Sequence, residues 1–197
     1  VARASADGYT ILCHSSAFAV NVTLFAEPGY DPGEFAPIIN SGVIPNLIFA
    51  HPSLPASTLK ELIALGKTKS ISYASSGIGT TPHLTAERLL KTMAKLDLTH
   101  IPYNSAGLAA NAVVSGEVQV GAAAVTAPAP FIKAGRLKGI VVTSLQRAPA
   151  LPEVPTAVES GFPGYEDYTW IAFFAPRGTP RAVVSKLNSE ITVVLQT

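Results

Sequence analysis

Short apolar runs alternate with longer amphipathic stretches along most of the chain. Runs that are rich in β-branched or aromatic residues and bounded by turn residues predict six strands, at 9–13, 47–50, 71–74, 99–101, 118–122 and 139–143. Stretches whose apolar residues recur three or four positions apart predict five helices, at 59–66, 82–96, 107–115, 128–134 and 180–195. Strands that alternate with helices are typical of parallel strands joined by crossover helices, so the pattern predicts the α/β class.

Proline-rich segments lie on both sides of the middle of the chain, where the predicted strands and helices alternate more regularly. Proline is concentrated at 28–55 and again at 149–180, which predicts long surface connections in both places. We therefore place one lobe at 52–142. The flanking segments, 1–51 and 143–197, are predicted to form a second, discontinuous lobe, because the chain would leave that lobe and re-enter it once.

Composition narrows the class of protein further. The 197 residues are 48% apolar and 14% charged, with a formal net charge of +1, a profile that favours a folded core and disfavours nucleic acid as a partner. No apolar run approaches the roughly 20 residues that a membrane span requires. The single cysteine, Cys13, lies in an apolar stretch and is predicted to pack as part of a strand, a catalytic thiol being the alternative.

A glycine-rich loop follows the predicted strand at 71–74 and opens a helix. Its backbone amides and hydroxyls are expected to converge on one point, which suits a carboxylate or a phosphate. The alternative is an ordinary tight turn between strand and helix. The candidate binding residues of this loop and of the helix start are Ser75, Gly77, Gly79, Thr80 and His83.

Two further polar loops also follow predicted strands. Ser15 and Ser16 come after the first strand, with Asn21 a short distance on, and Tyr103 and Asn104 come after the strand at 99–101. Ligands of open α/β sheets bind beyond the carboxyl ends of strands. The three loops together therefore predict a polar binding cleft.

Arrangements that would support catalysis are not found in the sequence. No Gly-x-Ser-x-Gly elbow occurs, no pair of carboxylates lies in the three loops, and the four histidines show no metal-ligand spacing. We therefore predict no catalytic residues, no metal and no cofactor. His83 is interpreted as a ligand contact, with capping or packing at the helix start as the alternative.

A series of motifs in order along the chain resembles one family, the extracytoplasmic receptors of tripartite tricarboxylate transporters, also called Bug-type receptors. The motifs are DGYTIL at 7–12, YDP at 30–32, FAPI at 35–38, YASSGIGT at 73–80 with His83, IPY at 101–103, IKAGRL at 132–137, LPEVPT at 151–156 with Glu159 and Gly161, and APRGTP at 175–180.

This resemblance implies a two-lobed fold of the type II periplasmic binding proteins and a binding protein that is not an enzyme. It implies a small organic carboxylate, of the di- or tricarboxylate type, held in a cleft between the lobes and delivered in the periplasm to the membrane components of a tripartite transporter. The contacts carried over position by position are Ser15, Ser16 and Asn21 from one lobe and Ser75, Gly77, Gly79, Thr80, His83, Tyr103 and Asn104 from the other.

Departures from the family pattern lead to three more expectations. The family's opening strand and its PGG loop have no counterpart, and the sequence stops at Thr197, so one lobe is expected to be incomplete. A sheet edge left open in this way predicts a homo-oligomer. Ala123 stands where amino-acid-binding members carry an aspartate, which implies a carboxylate ligand without an amine. The alternative function is a truncated interaction or sensor module that oligomerises.

Overall fold

The computed structural model describes residues 1–196, and its elements alternate between strands and helices. The strands are β1 Leu12–Ser15, β2 Phe35–Ala50, β3 Ile71–Ser75, β4 Leu98–Pro102, β5 Val120–Ala124, β6 Lys138–Val142 and β7 Tyr168–Pro176. The α-helices are α1 Ala17–Leu24, α2 Leu59–Gly66, α3 Thr81–Ala86, α4 Ala106–Val114, α5 Ala129–Lys133 and α6 Arg181–Leu195. A 3₁₀ turn at Pro32–Glu34 precedes β2, and a π-helical segment at Glu87–Met93 continues α3.

The chain divides into two compact units. The first combines Val1–Val43 with the chain from Trp170 onward, and the second is the continuous segment Ile44–Thr169. This second unit is wider at both ends than the lobe predicted at 52–142. The reason is that the latter half of β2 pairs with β5 and β6, and that the Thr169 hydroxyl donates a hydrogen bond to the Asn46 side chain at 2.8 Å.

The second unit is built on a mixed sheet in the order β6-β2-β5-β3-β4. β3 is parallel to both β4 and β5, whereas β2 is antiparallel to β5 and β6. The carboxyl ends of β3, β4 and β5 therefore lie at one edge of the sheet. The antiparallel register places Asn46 opposite Ala124, so the start of this part of β2 lies at the same edge.

Two apolar clusters cover the two faces of this sheet. Successive residues of β2 alternate between them, with Ile48 in one cluster and Leu47 and Phe49 in the other. Tyr73 and Leu89 extend the first cluster and are fully buried. Because both faces of the sheet are covered, a ligand could contact polar groups of this sheet at the loops of its carboxyl edge.

The first unit has a smaller sheet in the order β1-β7-β2, packed around aromatic side chains. The Phe18 ring stacks on Phe174 with ring centroids 4.4 Å apart, and the Tyr30 hydroxyl donates to the Phe18 carbonyl at 2.6 Å. Cys13 lies in β1 as predicted but is exposed, so the prediction that it packs in the interior is wrong. The alternation of β1 places Cys13 on the opposite face from Leu12, which packs against the aromatic cluster.

The α/β class is confirmed, and all five predicted helices are present: the helix at 59–66 has the predicted bounds, and the other four differ in theirs. The predicted helix at 82–96 is α-helical only through Ala86 and continues as the π-helical segment. Three elements were missed: α1, β7 and the first half of β2. None of the helices among residues 1–196 combines the length and apolar character that a bilayer span needs.

A fully buried asparagine, Asn46, ties several segments together at the carboxyl edge. Its side-chain nitrogen donates to the Thr85 hydroxyl at 3.1 Å and to the Asp167 carboxylate at 3.2 Å. Its side-chain oxygen accepts from Thr169, and its backbone amide donates to the Thr143 hydroxyl at 2.9 Å. One side chain therefore links β2, α3 and the segment that enters β7.

Replacing Asn46 with alanine is expected to lower the free energy of unfolding by about 2–4 kcal/mol. The change leaves buried polar groups of Thr85, Asp167 and Thr169 without their partner and opens a small cavity. The matched control is the same substitution at Asn104, which is exposed and is expected to change stability by less than about 0.5 kcal/mol. Chemical denaturation of both variants checks this, and similar losses for the two would contradict the role given to Asn46.

Self-association of the chain through the first unit stays a prediction. The apolar side chains exposed on this unit support it. No side chain of α6 is buried, and Val193, Val194 and Leu195 are 60%, 70% and 50% exposed. Tyr9, on the same unit, is 94% exposed. We expect the 197-residue chain to form dimers or larger assemblies in light scattering. A monomer that stays soluble at high concentration would contradict this.

Candidate functional site

The candidate site in the second unit is the loop of residues 75–80, which joins β3 to α3. Gly77 and Gly79 have φ angles of +120° and +81°, a region that side chains with a Cβ rarely adopt. The glycines therefore allow a sharp turn at the carboxyl edge of the sheet. Ile78 is exposed at the tip of the loop, whereas Ser75 and Gly79 are buried at its base.

Internal hydrogen bonds hold this loop in shape. The carbonyl of Gly77 accepts from the Thr80 hydroxyl at 2.7 Å and from the Thr80 amide at 3.3 Å. The Gly77 amide donates to the Ser75 hydroxyl oxygen and the Gly79 amide to Nδ1 of His83, each at 3.3 Å. Three amides of the loop are thus used, two within the loop and that of Gly79 on His83 of α3.

Other polar groups of the loop remain for a ligand. Within the described residues, the backbone amides of Ser76 and Ile78 make no hydrogen bond to another part of the protein. The Ser76 hydroxyl donates to that of Thr80 at 3.3 Å, and both residues are partly exposed. The groups that this loop can offer are amide and hydroxyl dipoles, which suit an anion.

A column of three packed rings, those of Tyr73, His100 and His83, lies next to the loop. The His100 ring packs between Tyr73, with ring centroids 4.8 Å apart, and His83, with centroids 4.3 Å apart. Nε2 of His100 is 2.7 Å from the Ser75 hydroxyl oxygen. Glu87 closes the column, because it accepts from the Tyr73 hydroxyl at 2.5 Å and lies 4.0 Å from Nε2 of His83.

Burial keeps both histidines of this column neutral. It lowers the pKa of His100 to about 4, with the neighbouring His83 as a second cause. Burial also lowers the pKa of His83, against the opposing charge of Glu87. Although burial alone would raise the pKa of Glu87, hydrogen bonds from Tyr73 and from Lys91, at 3.1 Å, hold it below its usual range. The cation of Lys91 is therefore paired.

The predicted site residues of the β4–α4 loop adjoin this loop through the backbone. The Tyr103 carbonyl lies 3.5 Å from the position that a Cβ on Gly77 would take, and the Tyr103 amide donates to the Ser75 carbonyl at 2.9 Å. The Tyr103 hydroxyl donates to Glu117 at 3.0 Å. Asn104 is exposed beside them.

The remaining predicted residues, Ser15, Ser16 and Asn21, lie together on the first unit at the end of β1 and in α1. The Ser15 hydroxyl accepts from the Ala17 amide at 3.4 Å, and Ser16 is buried with its amide donating to the Trp170 carbonyl at 3.0 Å. The side-chain oxygen of Asn21 is buried without a hydrogen-bond partner in the described part of the chain. Such a group lacks the compensation that buried polar atoms usually have.

Sequence analysis missed the residues that support the loop, above all His100 and Tyr73. The strand pairing carries a signal for them. β3 and β4 are parallel, with Tyr73 opposite His100. Because side chains alternate along a strand, Ser75, two positions after Tyr73, lies on the same face. The sequence also gave no indication of Asp167, which pairs with Asn46 and Thr85 and whose pKa burial raises.

A catalytic use of the Ser75 and His100 pair conflicts with its surroundings. Ser75 is fully buried, so its hydroxyl is not presented to a substrate. Within residues 1–196, no three side chains of His, Cys, Asp or Glu converge as metal ligands. The arrangement can bind an anion through dipoles, and it lacks the parts of a nucleophilic or metal centre.

Comparison with known proteins agrees with this geometry. The model of the tripartite tricarboxylate transporter family receptor matches residues 1–197. A protein encoded in the tcbD-tcbE intergenic region of Pseudomonas sp. strain P51 is 37% identical over 97% of this chain and 58% of its own length. BugT of Bordetella pertussis is 31% identical over 99% of this chain and 61% of its own length. The chain thus spans about three fifths of these relatives.

Solved structures show the same fold. Rpa4515 of R. palustris, solved with adipate, has a TM-score of 0.94 and 33% identity over 100% of this chain and 67% of its own. MatC of Rhodopseudomonas palustris, solved with malate, has a TM-score of 0.91 and 31% identity over 100% and 68%. BugD, a periplasmic binding protein, has a TM-score of 0.86 and 36% identity over 97% and 64%.

These matches confirm the resemblance found in the motifs, and with it the type II periplasmic-binding-protein fold of which the chain spans about two thirds. The family is one of receptors rather than enzymes, in agreement with the prediction that the chain does not catalyse a reaction. The chain belongs to the receptor family of the tripartite tricarboxylate transporters.

Proposed function

We propose that this chain binds a small organic carboxylate, of the di- or tricarboxylate type, and that the loop of residues 75–80 holds one of its carboxylate groups. The observation that carries the proposal is the composition of this loop: the amides of Ser76 and Ile78 have no hydrogen-bond partner in the described chain, the Ser76 hydroxyl makes a long bond of 3.3 Å to Thr80, and no residue of the loop is acidic. A carboxylate accepts hydrogen bonds from amide and hydroxyl groups alike.

The relatives support the chemical class of the ligand. Two structures that share this fold along the whole chain were solved with adipate and with malate, which are both dicarboxylates. The proposal extends to a role as a receptor in the periplasm that delivers its ligand to the membrane components of a tripartite transporter. The support for that step is the family alone.

The surroundings of the loop favour a ligand without an amine. Ala123 is fully buried opposite Leu47 and brings no charge to the end of β5. The acidic group at the same edge, Asp167, already accepts hydrogen bonds from Thr85 and Asn46. An ammonium group bound here would find no free carboxylate among these residues, and burying it unpaired costs several kcal/mol.

Succinate is therefore expected to bind at least tenfold more tightly than aspartate, which differs from it by one amine. Isothermal titration of the chain with both ligands measures the ratio. Thr80→Val, which removes a loop hydroxyl, is expected to weaken succinate about tenfold. Thr99→Val, at an exposed position of β4, is the matched control and should leave binding unchanged. Absence of binding to any di- or tricarboxylate, or tighter binding of aspartate, would overturn the proposal.

The contribution of the first unit needs its own variant. If Asn21 contacts the same ligand, as the family resemblance implies, Asn21→Ala should also weaken succinate about tenfold, because it removes a side-chain N–H donor from which a carboxylate can accept. Circular dichroism of the variant controls for folding. An unchanged affinity would remove Asn21 from the binding site and leave the loop of the second unit as the site.

A further inference from the structure

The Ser75 hydroxyl is the link between the loop and the ring column. It is fully buried, lies 2.7 Å from Nε2 of His100 and accepts from the Gly77 amide at 3.3 Å. Its oxygen is also 3.4 Å from the Gly77 carbonyl. A hydroxyl with one proton and two lone pairs can satisfy the first two contacts together if its proton points to His100.

The two stacked histidines between them hold both glycine amides of the loop. His83 accepts directly from the Gly79 amide, and His100 holds the Gly77 amide through the Ser75 hydroxyl. The rings are 4.3 Å apart, and Tyr73 supports the column from the other side of His100. The two glycines flank Ile78, so these contacts fix the part of the loop that presents its unpaired amides.

We propose that His100 is a positioning residue, which orients the Ser75 hydroxyl and thereby fixes the loop of residues 76–80 in the conformation that receives a carboxylate. It acts without touching the ligand. The expected effect of His100 on ligand affinity rests on the proposed function. Its expected effect on the conformation of the loop does not.

The protonation state of His100 decides whether this arrangement is possible. Neutral His100 with an unprotonated Nε2 accepts the Ser75 proton, which leaves the Ser75 lone pairs for the Gly77 amide. A proton on Nε2 would reverse that bond. The Ser75 proton would then have only the Gly77 carbonyl to donate to, and this carbonyl already accepts twice from Thr80.

The groups that face His100 keep it neutral at ordinary pH. Tyr73 of β3 stacks on one side, and His83 of α3 stacks on the other, with Glu87 and Lys91 of the π-helical segment beyond it. Burial and His83 lower the pKa of His100 to about 4. The loop should therefore keep its conformation through the neutral range and lose it in acid.

A double-mutant cycle between Ser75 and His100 tests the proposal. His100→Phe keeps the stacked ring but removes the hydrogen bond, and is expected to weaken succinate about tenfold. His100→Gln places an amide oxygen where it can accept from Ser75 and should restore affinity to within about threefold. In a Ser75→Ala background, His100→Phe should add less than a twofold loss, because both changes remove the same contact. Additive losses, or an unchanged affinity in His100→Phe, would overturn the proposal.

A readout without ligand separates this inference from the proposed function. In the NMR spectrum, His100→Phe should shift the Gly77 amide and speed its hydrogen exchange, and His100→Gln should do so less. A chain that binds no carboxylate but shows these changes would refute the proposed function and keep the positioning role in the loop. An unchanged Gly77 amide in His100→Phe would refute the positioning role even if succinate binds.

The pH dependence of stability gives a second such readout. The pKa of His100 is lower in the folded state, at about 4, than its ordinary value of 6.5. The unfolded chain therefore takes up the proton first as pH falls, so the free energy of unfolding should decrease between about pH 6.5 and pH 4. His100→Phe should show a smaller decrease, and His83 and Glu87, whose pKa values are also lowered in the folded state, contribute to the remainder. Equal slopes for the wild type and His100→Phe would show that folding does not disfavour the protonated ring of His100, which would count against the buried hydrogen-bonded arrangement proposed for it.

Discussion

The edge of the sheet where a ligand can bind depends on one buried amide, the side chain of Asn46. Both of its side-chain hydrogen-bonding atoms are used, and they contact residues up to 123 positions away along the chain. A fully satisfied polar network inside a core fixes geometry more strictly than apolar contacts do, since its partners have no alternative inside the core. The network therefore determines where α3 begins relative to the strands.

From that constraint the shape of the loop of residues 75–80 follows. α3 is held on one side by Thr85, through the Asn46 network, and on the other by His83, through the ring column. A short helix attached at two points can rotate little about its axis. The loop before it is then fixed at its end by the helix and at its start by β3, and the glycines absorb the turn between them.

Local signals predicted the strand, loop and helix at 71–86 from the sequence, because each of its parts is determined by near neighbours: an apolar run, glycines with positive φ and a proline near the helix start. The first half of β2 escaped prediction because Pro37 and Pro45 interrupt the strand, and proline is usually excluded from strands. Periodicity could not predict the ring column around His100, because the contacts in it depend on the register of β3 and β4. It could not predict the Asn46 network either, because that network forms only when the chain returns through β7.

If the loop of residues 75–80 binds a carboxylate, as proposed, its chemistry suits release as well as binding. A carboxylate bound by amides and hydroxyls exchanges hydrogen bonds with water for similar bonds in the protein, so the net gain from each is modest. A buried cation would bind more strongly, but it would also carry a large desolvation cost of its own. Here the cation of Lys91 is paired with Glu87, and burial lowers the pKa of both histidines, which keeps them neutral. Affinity in such a loop has to come from several weak contacts held in correct geometry, and for this reason the residues that position the loop matter as much as those that contact the ligand.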